Sequence, residues 1–340
     1  MTDNTLDLPE TEDRSPRKKN KKVLFWVLGS FLVVLLIAGG IVWAAMSKLQ
    51  DFETIEQAFP EETLRPEVTK PVEGQDDPAV NILLLGSDSR ANTSTPVLDD
   101  IGNRADTIMV AHIPSDRSGV QIMSIMRDSW LEIPGHGEAK INAAMAYGGV
   151  PLMVQTVEGL IDQRIDHVAV IDFNGFQNMT DSLGGVEVNN PRAFSYDGVQ
   201  FAQGPITLNG EEALTFVRSR NFSDGDYTRV ENQQLFMESM AAEILSRDTL
   251  TSPSKLNDLV ESTTPYVALD GDFGVGSMVG LGTSMSSVRA GDITSFTLPT
   301  RGTGREGGGQ SVVYVDWDAL DEVRERFKND ELADYQPAAK

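Results

Sequence analysis

The chain has 340 residues and a formal net charge of −23, with 28 Lys and Arg against 51 Asp and Glu. So acidic a chain repels a nucleic-acid backbone, which excludes a nucleic-acid partner. It has no cysteine, so disulfides and thiolate chemistry are excluded, and its three histidines are too scattered for a spacing-defined zinc site.

Residues 1–22 form a basic tail that carries Arg14, Arg17, Lys18, Lys19, Lys21 and Lys22. Residues 23–46 are uncharged and apolar, with Trp26 and Trp43 near the two ends. A run of that length spans roughly 30 Å of hydrocarbon as one helix, and the cations before it hold the N-terminus on the cytoplasmic side. It exceeds a signal-peptide core and no A-x-A pattern closes it, so a retained single-pass anchor is expected. The expected location is therefore the cell membrane, with everything after Met46 extracytoplasmic. The first 46 residues carry six cations against five acids, which leaves −24 on the exterior part.

Residues 47–78 are acidic and interrupted by Pro60, Pro66, Pro71 and Pro78. They read as a juxtamembrane spacer with a helical turn or two near 52–58, ahead of a folded domain over 79–330 and a tail over 331–340. Apolar runs at 80–85, 107–113, 120–126 and 167–173 predict strands covered on both faces. Helical patterns fall at 141–147, at 151–161 with proline in the first turn, and at 173–182 ending in Gly184-Gly185. Residues 210–216 predict a short helix, and Asp226 caps a longer one to about 246. Further helices are expected at 255–261, 274–288 and 317–328, with late strands at 293–298 and 312–317. Residues 300–310 carry five glycines and read as a mobile loop. This order predicts an α/β (α-β-α) domain, a mixed central β-sheet flanked by helices on both faces.

Six arginines and one lysine punctuate the ends of these segments: Arg90, Arg104, Arg127, Lys140, Arg218, Arg220 and Arg229. Asp88, Asp106 and Asp226 lie among them, and Lys140 is the only lysine between Pro71 and Ser254. Each has a plain structural reading by itself. Asp88 and Arg90 suit a turn, Arg104 and Asp106 a surface ion pair, Asp226 an N-cap, and Arg218 and Arg220 a helix C-terminus. Together they point to a bound phosphate or diphosphate, because guanidinium forks match phosphate oxygens and stay charged. Arg229 and Gln233, four apart, share a helix face near its positive end.

These linked segments, with NILLLGSDSR at 81–90, RADT at 104–107, RD at 127–128, RSR at 218–220 and Arg229 with Gln233, resemble the LytR-CpsA-Psr family. The resemblance runs from about 79 to 234 and returns at 312–328. It implies a membrane-anchored phosphotransferase that moves a glycopolymer from a polyprenyl-diphosphate carrier to a peptidoglycan hydroxyl in cell-wall assembly. Asp88 and Asp106 then match carboxylates that hold Mg²⁺ (or Mn²⁺). Arg104, Arg127, Arg218, Arg220 and Arg229 match arginines that grip the diphosphate, with Gln233 a polar neighbour and Arg90, Lys140 and Asp226 at further motif positions. Met126 and Asn232 depart from the pattern, where a proline and a second helix arginine are common. The family also implies an apolar lipid-binding cavity, for which Met145, Met153, Phe173, Phe176, Met179, Leu235, Phe236 and Met240 are candidates. A hydrolase that uses water as acceptor, or a non-catalytic lipid-phosphate binding module, would carry much the same residues.

Overall fold

The computed structural model describes residues 52–68, 70–72, 74–87, 97–100, 105–220 and 226–336. The basic tail and the 23–46 segment lie outside them. No helix among the described residues is long and apolar enough to cross a membrane.

The predicted apolar runs become β2 (Val80–Ser87), β3 (Thr107–Ile113), β4 (Val120–Ile125) and β7 (His167–Asp172). With β1 (Glu53–Ile55), β12 (Val267–Asp270) and β13 (Ile293–Thr297) they form a seven-stranded sheet, ordered β1-β12-β7-β2-β3-β4-β13. It is mixed: β1–β12, β2–β7 and β4–β13 are parallel, while β12–β7, β2–β3 and β3–β4 are antiparallel. The expected central sheet is present.

One face packs against α2 (Ala143–Ile161) and α9 (Trp317–Asn329), and it buries Leu83, Val110, Met123, Val168 and Val170. The two helical patterns predicted at 141–147 and 151–161 are one helix in two parts. Gly148 and Gly149 break it, Gly149 at φ +63°, and Pro151 restarts it where its missing N–H costs nothing. The other face meets α5 (Asp226–Ile244) and α8 (Val275–Ser284). Beyond it, α3 (Phe173–Ser182), α4 (Gly210–Arg218) and α5 enclose an aromatic cluster with Phe176, Phe216 and Phe236. Two antiparallel strand pairs of the 186–208 stretch close that cluster: β8 (Val186–Asn190) with β11 (Gly204–Leu208), and the hairpin of β9 (Phe194–Tyr196) with β10 (Val199–Phe201).

Three expectations need correction. The 47–78 spacer is not a plain tether. Residues 53–55 form a strand rather than a helical turn, and Ile55 and Ala58 are buried in the main core. Arg65 Nη2 reaches Glu158 Oε1 at 2.8 Å with both side chains almost fully covered, which fastens the segment to α2. Four prolines prevent long elements here, but they do not prevent packing. The glycine-rich 300–310 stretch is not a loose loop either: β14 (Thr300–Glu306) and β15 (Gln310–Val315) make a hairpin. Gly307, Gly308 and Gly309 all have positive φ and form its turn. That hairpin joins β5 (Ser129–Ile133) and β6 (Gly137–Lys140) in a second sheet, ordered β14-β15-β5-β6. Finally, the start of the expected 331–340 tail packs inward, with Leu332 buried and Tyr335 edge-on to Phe296 at 4.8 Å.

Candidate active site

Strand register sets the floor of the site. On the α5 side of the central sheet, directly paired residues form rows across the strands. One row runs Val267–Ile171–Gly86–Thr107, and the next runs Leu269–Ala169–Leu84–Met109. A third contains Ile82, Ala111 and Ile122. Each row lies about 6.7 Å from its neighbour, two residues along a strand. Small residues recur on this face: Gly86, Ala169 and Ala111. Between them and the overlying helices lies a cavity of about 520 Å³, within the size range of small-ligand pockets.

Its roof is helical. Arg229, Gln233, Met237, Met240, Ala241 and Ile244 line the cavity from α5, three or four residues apart on one stripe. From Arg229 to Ile244 the helix rises about 22 Å. The stripe therefore passes from two polar residues at one end to four apolar ones at the other. Phe173, Phe176 and Met179 of α3 and Leu214 and Val217 of α4 complete the wall.

The polar end is built from four separate pieces of chain. Asp106 immediately precedes β3, and Arg127 follows β4 by two residues. Arg218 ends α4, Arg220 lies two residues on, and Arg229 sits in the first turns of α5; all five line the cavity. Arg127 Nη1 donates to the Asp106 carboxylate. The Arg218 guanidinium lies over the Phe173 ring, 5.0 Å from its centroid, a cation–π contact that helps to hold it at the cavity. Asn232, which stands where the resemblance leads one to expect an arginine, is buried, and its Nδ2 donates to Ser219 Oγ at 2.8 Å. It pins the short segment that carries Arg218 and Arg220.

The predicted residues thus separate into three groups. Asp106, Arg127, Arg218, Arg220, Arg229 and Gln233 converge on one cavity. Lys140 does not line it: its Nζ lies 3.0 Å from Asp128 Oδ1, and Asp128 Oδ2 is 3.9 Å from Arg127 Nε. Asp88, Arg90 and Arg104 lie outside the described residues; so does the Asp226 side chain, although α5 begins at that residue. Of the apolar candidates, Phe173, Phe176, Met179 and Met240 line the cavity. Met145 and Met153 belong to the core on the opposite side of the sheet, and Leu235 and Phe236 to the aromatic cluster. A helical stripe marks burial but not which of two interiors receives it.

One acid was not singled out from sequence. Asp172 ends β7 beside Ser87 of parallel β2, is 1 % exposed and lines the cavity. Its Oδ1 accepts from Gly175 N at 2.7 Å as the N-cap of α3. The available signal was its position at the carboxyl end of a parallel strand, where open α/β sheets place ligands. Among the described residues no group of three Asp, Glu or His forms a ready-made metal cage.

Two histidines stand on strands, and each has a partner outside the cavity. His112 is buried between Asn81 Oδ1 and Asp330 Oδ1, each at 2.8 Å, and His167 stacks on Phe273 at 4.3 Å. Burial by itself would raise the Asp330 pKa, but hydrogen bonds from His112 and the Ser115 amide hold it below its ordinary value.

Residues 45–329 match the model of the LytR_cpsA_psr family. The polyisoprenyl-teichoic acid–peptidoglycan teichoic acid transferase TagU of Bacillus cereus is 37% identical over 237 residues, 68% of this chain and 74% of that protein. The cell wall biosynthesis protein LcpA of Corynebacterium glutamicum is 32% identical over 305 residues, 77% of this chain and 57% of its own length. Among solved structures, TagV of B. subtilis superposes with a TM-score of 0.63 at 25% identity, covering 76% of this chain and 98% of TagV. TagT bound to LIIa-WTA gives 0.58 at 25% identity, covering 78% and 96%. The chain belongs to the LytR_cpsA_psr family.

Proposed function

We propose that this protein transfers a glycopolymer from a polyprenyl-diphosphate carrier to a hydroxyl of peptidoglycan. The observation that carries this reading is the convergence of Arg127, Arg218, Arg220 and Arg229 at one end of an apolar cavity, in a chain of net charge −23. Among the described residues, four guanidinium groups and two carboxylates, Asp106 and Asp172, line the cavity, so the polar end favours an anion while the remainder favours hydrocarbon. A lipid diphosphate has both parts in that order. The names of the TagU and LcpA relatives support the same reading.

In the transfer, the acceptor hydroxyl oxygen forms a bond to the phosphorus that bears the glycopolymer. The bond to the bridging oxygen breaks, the bridging oxygen departs with the polyprenyl monophosphate, and the hydroxyl proton passes to that phosphate or to water. Arginines placed around the diphosphate stabilise the charge that grows on the leaving oxygens, and the held geometry replaces a chance encounter. Arg218, placed over Phe173, and Arg127, held by Asp106, have partners before substrate arrives.

Mg²⁺ (or Mn²⁺) is a hard cation that takes one or two carboxylates and completes its shell with substrate phosphates and water. Asp106 would hold it together with Asp88, and when bound it would neutralise diphosphate charge. The 23–46 segment would anchor the protein in the cell membrane, with the catalytic part extracytoplasmic.

The test is transfer by the full chain in detergent, from a short synthetic polyprenyl-diphosphate glycan to soluble peptidoglycan fragments. Wild type should yield joined product and lipid monophosphate. Arg218→Ala and Arg229→Ala should bind poorly and transfer almost nothing while still folding. Free sugar phosphate in place of joined product would make the protein a hydrolase. Tight lipid binding with neither product would make it a binding module.

A further inference from the structure

The second sheet has an exposed side that the site above leaves unexplained. Strand pairing sets Tyr314 of β15 beside Trp130 of β5, and Trp130 beside Lys140 of β6, so the three side chains leave the sheet on one face in a row. Asp128, two residues before Trp130, joins the same face and pairs with Lys140 at 3.0 Å. The opposite face carries Leu131 and Val315 into the main core.

The two rings are laid down against the sheet. A Cβ at Gly304 would fall 2.3 Å from Tyr314 Cε2 and 2.8 Å from its Cζ, so the phenol ring rests directly on that glycine. A Cβ at Gly307 would stand 3.2 Å from the far edge of the Trp130 indole. Both residues keep part of their surface in solvent. Tyr314 Oη donates to Glu306 Oε1 at 2.8 Å, and Glu132 and Glu138, directly paired further along, are exposed. The face is thus a platform of two rings bordered by carboxylates and one ammonium.

This platform is continuous with the diphosphate end of the cavity. Asp106, Arg127, Asp128 and Lys140 form an unbroken chain of ion pairs from the cavity mouth to the foot of Trp130. A pyranose presents C–H groups of slight positive charge on its faces, which suit the negative face of an aromatic ring, and hydroxyls at its rim that suit carboxylates. A polyanionic chain would be repelled by Glu132, Glu138 and Glu306, whereas an uncharged sugar chain would not.

We propose that the Trp130–Tyr314 face is the acceptor subsite, which stacks the sugar rings of a glycan strand and leads its hydroxyl to the phosphorus. This rests on the transferase reading and names the residues that hold its second substrate. Trp130 is a binding residue here, not a catalytic one.

The test uses the full chain in detergent and two probes measured separately. The tetrasaccharide of β-1,4-linked N-acetylglucosamine reports the platform by saturation-transfer NMR, and geranylgeranyl diphosphate reports the cavity by calorimetry. Wild type should bind both. Trp130→Ala should weaken the tetrasaccharide about tenfold or more and leave the diphosphate unchanged, while Trp130→Tyr, which keeps a stacking ring, should restore most of the affinity. In transfer assays Trp130→Ala should raise the acceptor KM with little change in kcat. If Trp130→Ala fails to fold, Trp130→Tyr and Tyr314→Leu carry the comparison, and Tyr314→Leu should show the same selective loss. Tetrasaccharide binding that is absent in wild type, or equal in these ring-deleted variants, overturns the acceptor subsite. Diphosphate binding by wild type in the same experiment shows that the donor reading stands regardless, and its absence removes both.

Discussion

The two faces of the central sheet are made by the same strands yet serve opposite ends. Toward α2 and α9, Leu83, Val110, Met123, Val168 and Val170 are completely shielded from solvent and packed in one continuous core. Toward α5, the intervening residues of the same strands include Gly86, Ala111 and Ala169, and a hollow of about 520 Å³ remains. Alternation along a strand lets one sequence specify a close-packed layer and a void at once. Stability is concentrated on one side, which frees the other to stay open for a ligand.

That division can be broken most forcefully on the packed side. Leu83→Ala should cost about 2–5 kcal/mol by urea unfolding while leaving diphosphate affinity of the folded fraction intact. On the open side, Arg229→Ala should lower transfer by roughly 10²–10³-fold with the unfolding midpoint nearly preserved, as expected for a charge-stabilising donor. A matched pair sharpens the contrast: Val170→Phe should overpack the core and cost about 1–3 kcal/mol, whereas its neighbour Ala169→Phe should be tolerated within about 1.5 kcal/mol yet abolish lipid-diphosphate binding. Equal destabilisation by both would mean that the hollow is not available space. The smallest effect is electrostatic and belongs to the packed side. The folded Asp330 carboxyl titrates below its unfolded value of about 3.9, so its stabilisation is complete above that pH and fades as pH falls through the folded value. The midpoint gap between wild type and Asp330→Asn should therefore hold from pH 7 to 5 and narrow below pH 4.

Much of the central sheet could be read from sequence because β2, β3, β4 and β7 are long, apolar and bounded by turn residues. The arginines could be read because cations are scarce in this chain and stand at element ends. What escaped follows from physical causes. β1 has three residues, too few for alternation to show, and its place depends on β12, more than 200 residues later. The β14–β15 hairpin hides behind glycines, which read as looseness until their φ angles form a turn. Met145 and Met240 both sit on helical stripes, but only the fold decides that one faces the core and the other the cavity. Lys140 bears the right charge for phosphate, yet Asp128 holds it.

The three residues of β1 have a practical consequence for anyone who trims the protein. They cover the outer side of β12, whose own residues are buried along their whole length. A fragment begun at Ala79 would uncover a ladder of unsatisfied amides and carbonyls next to apolar side chains, an invitation to sticky, strand-to-strand self-association. Shortened versions should therefore keep the chain from Phe52 onward.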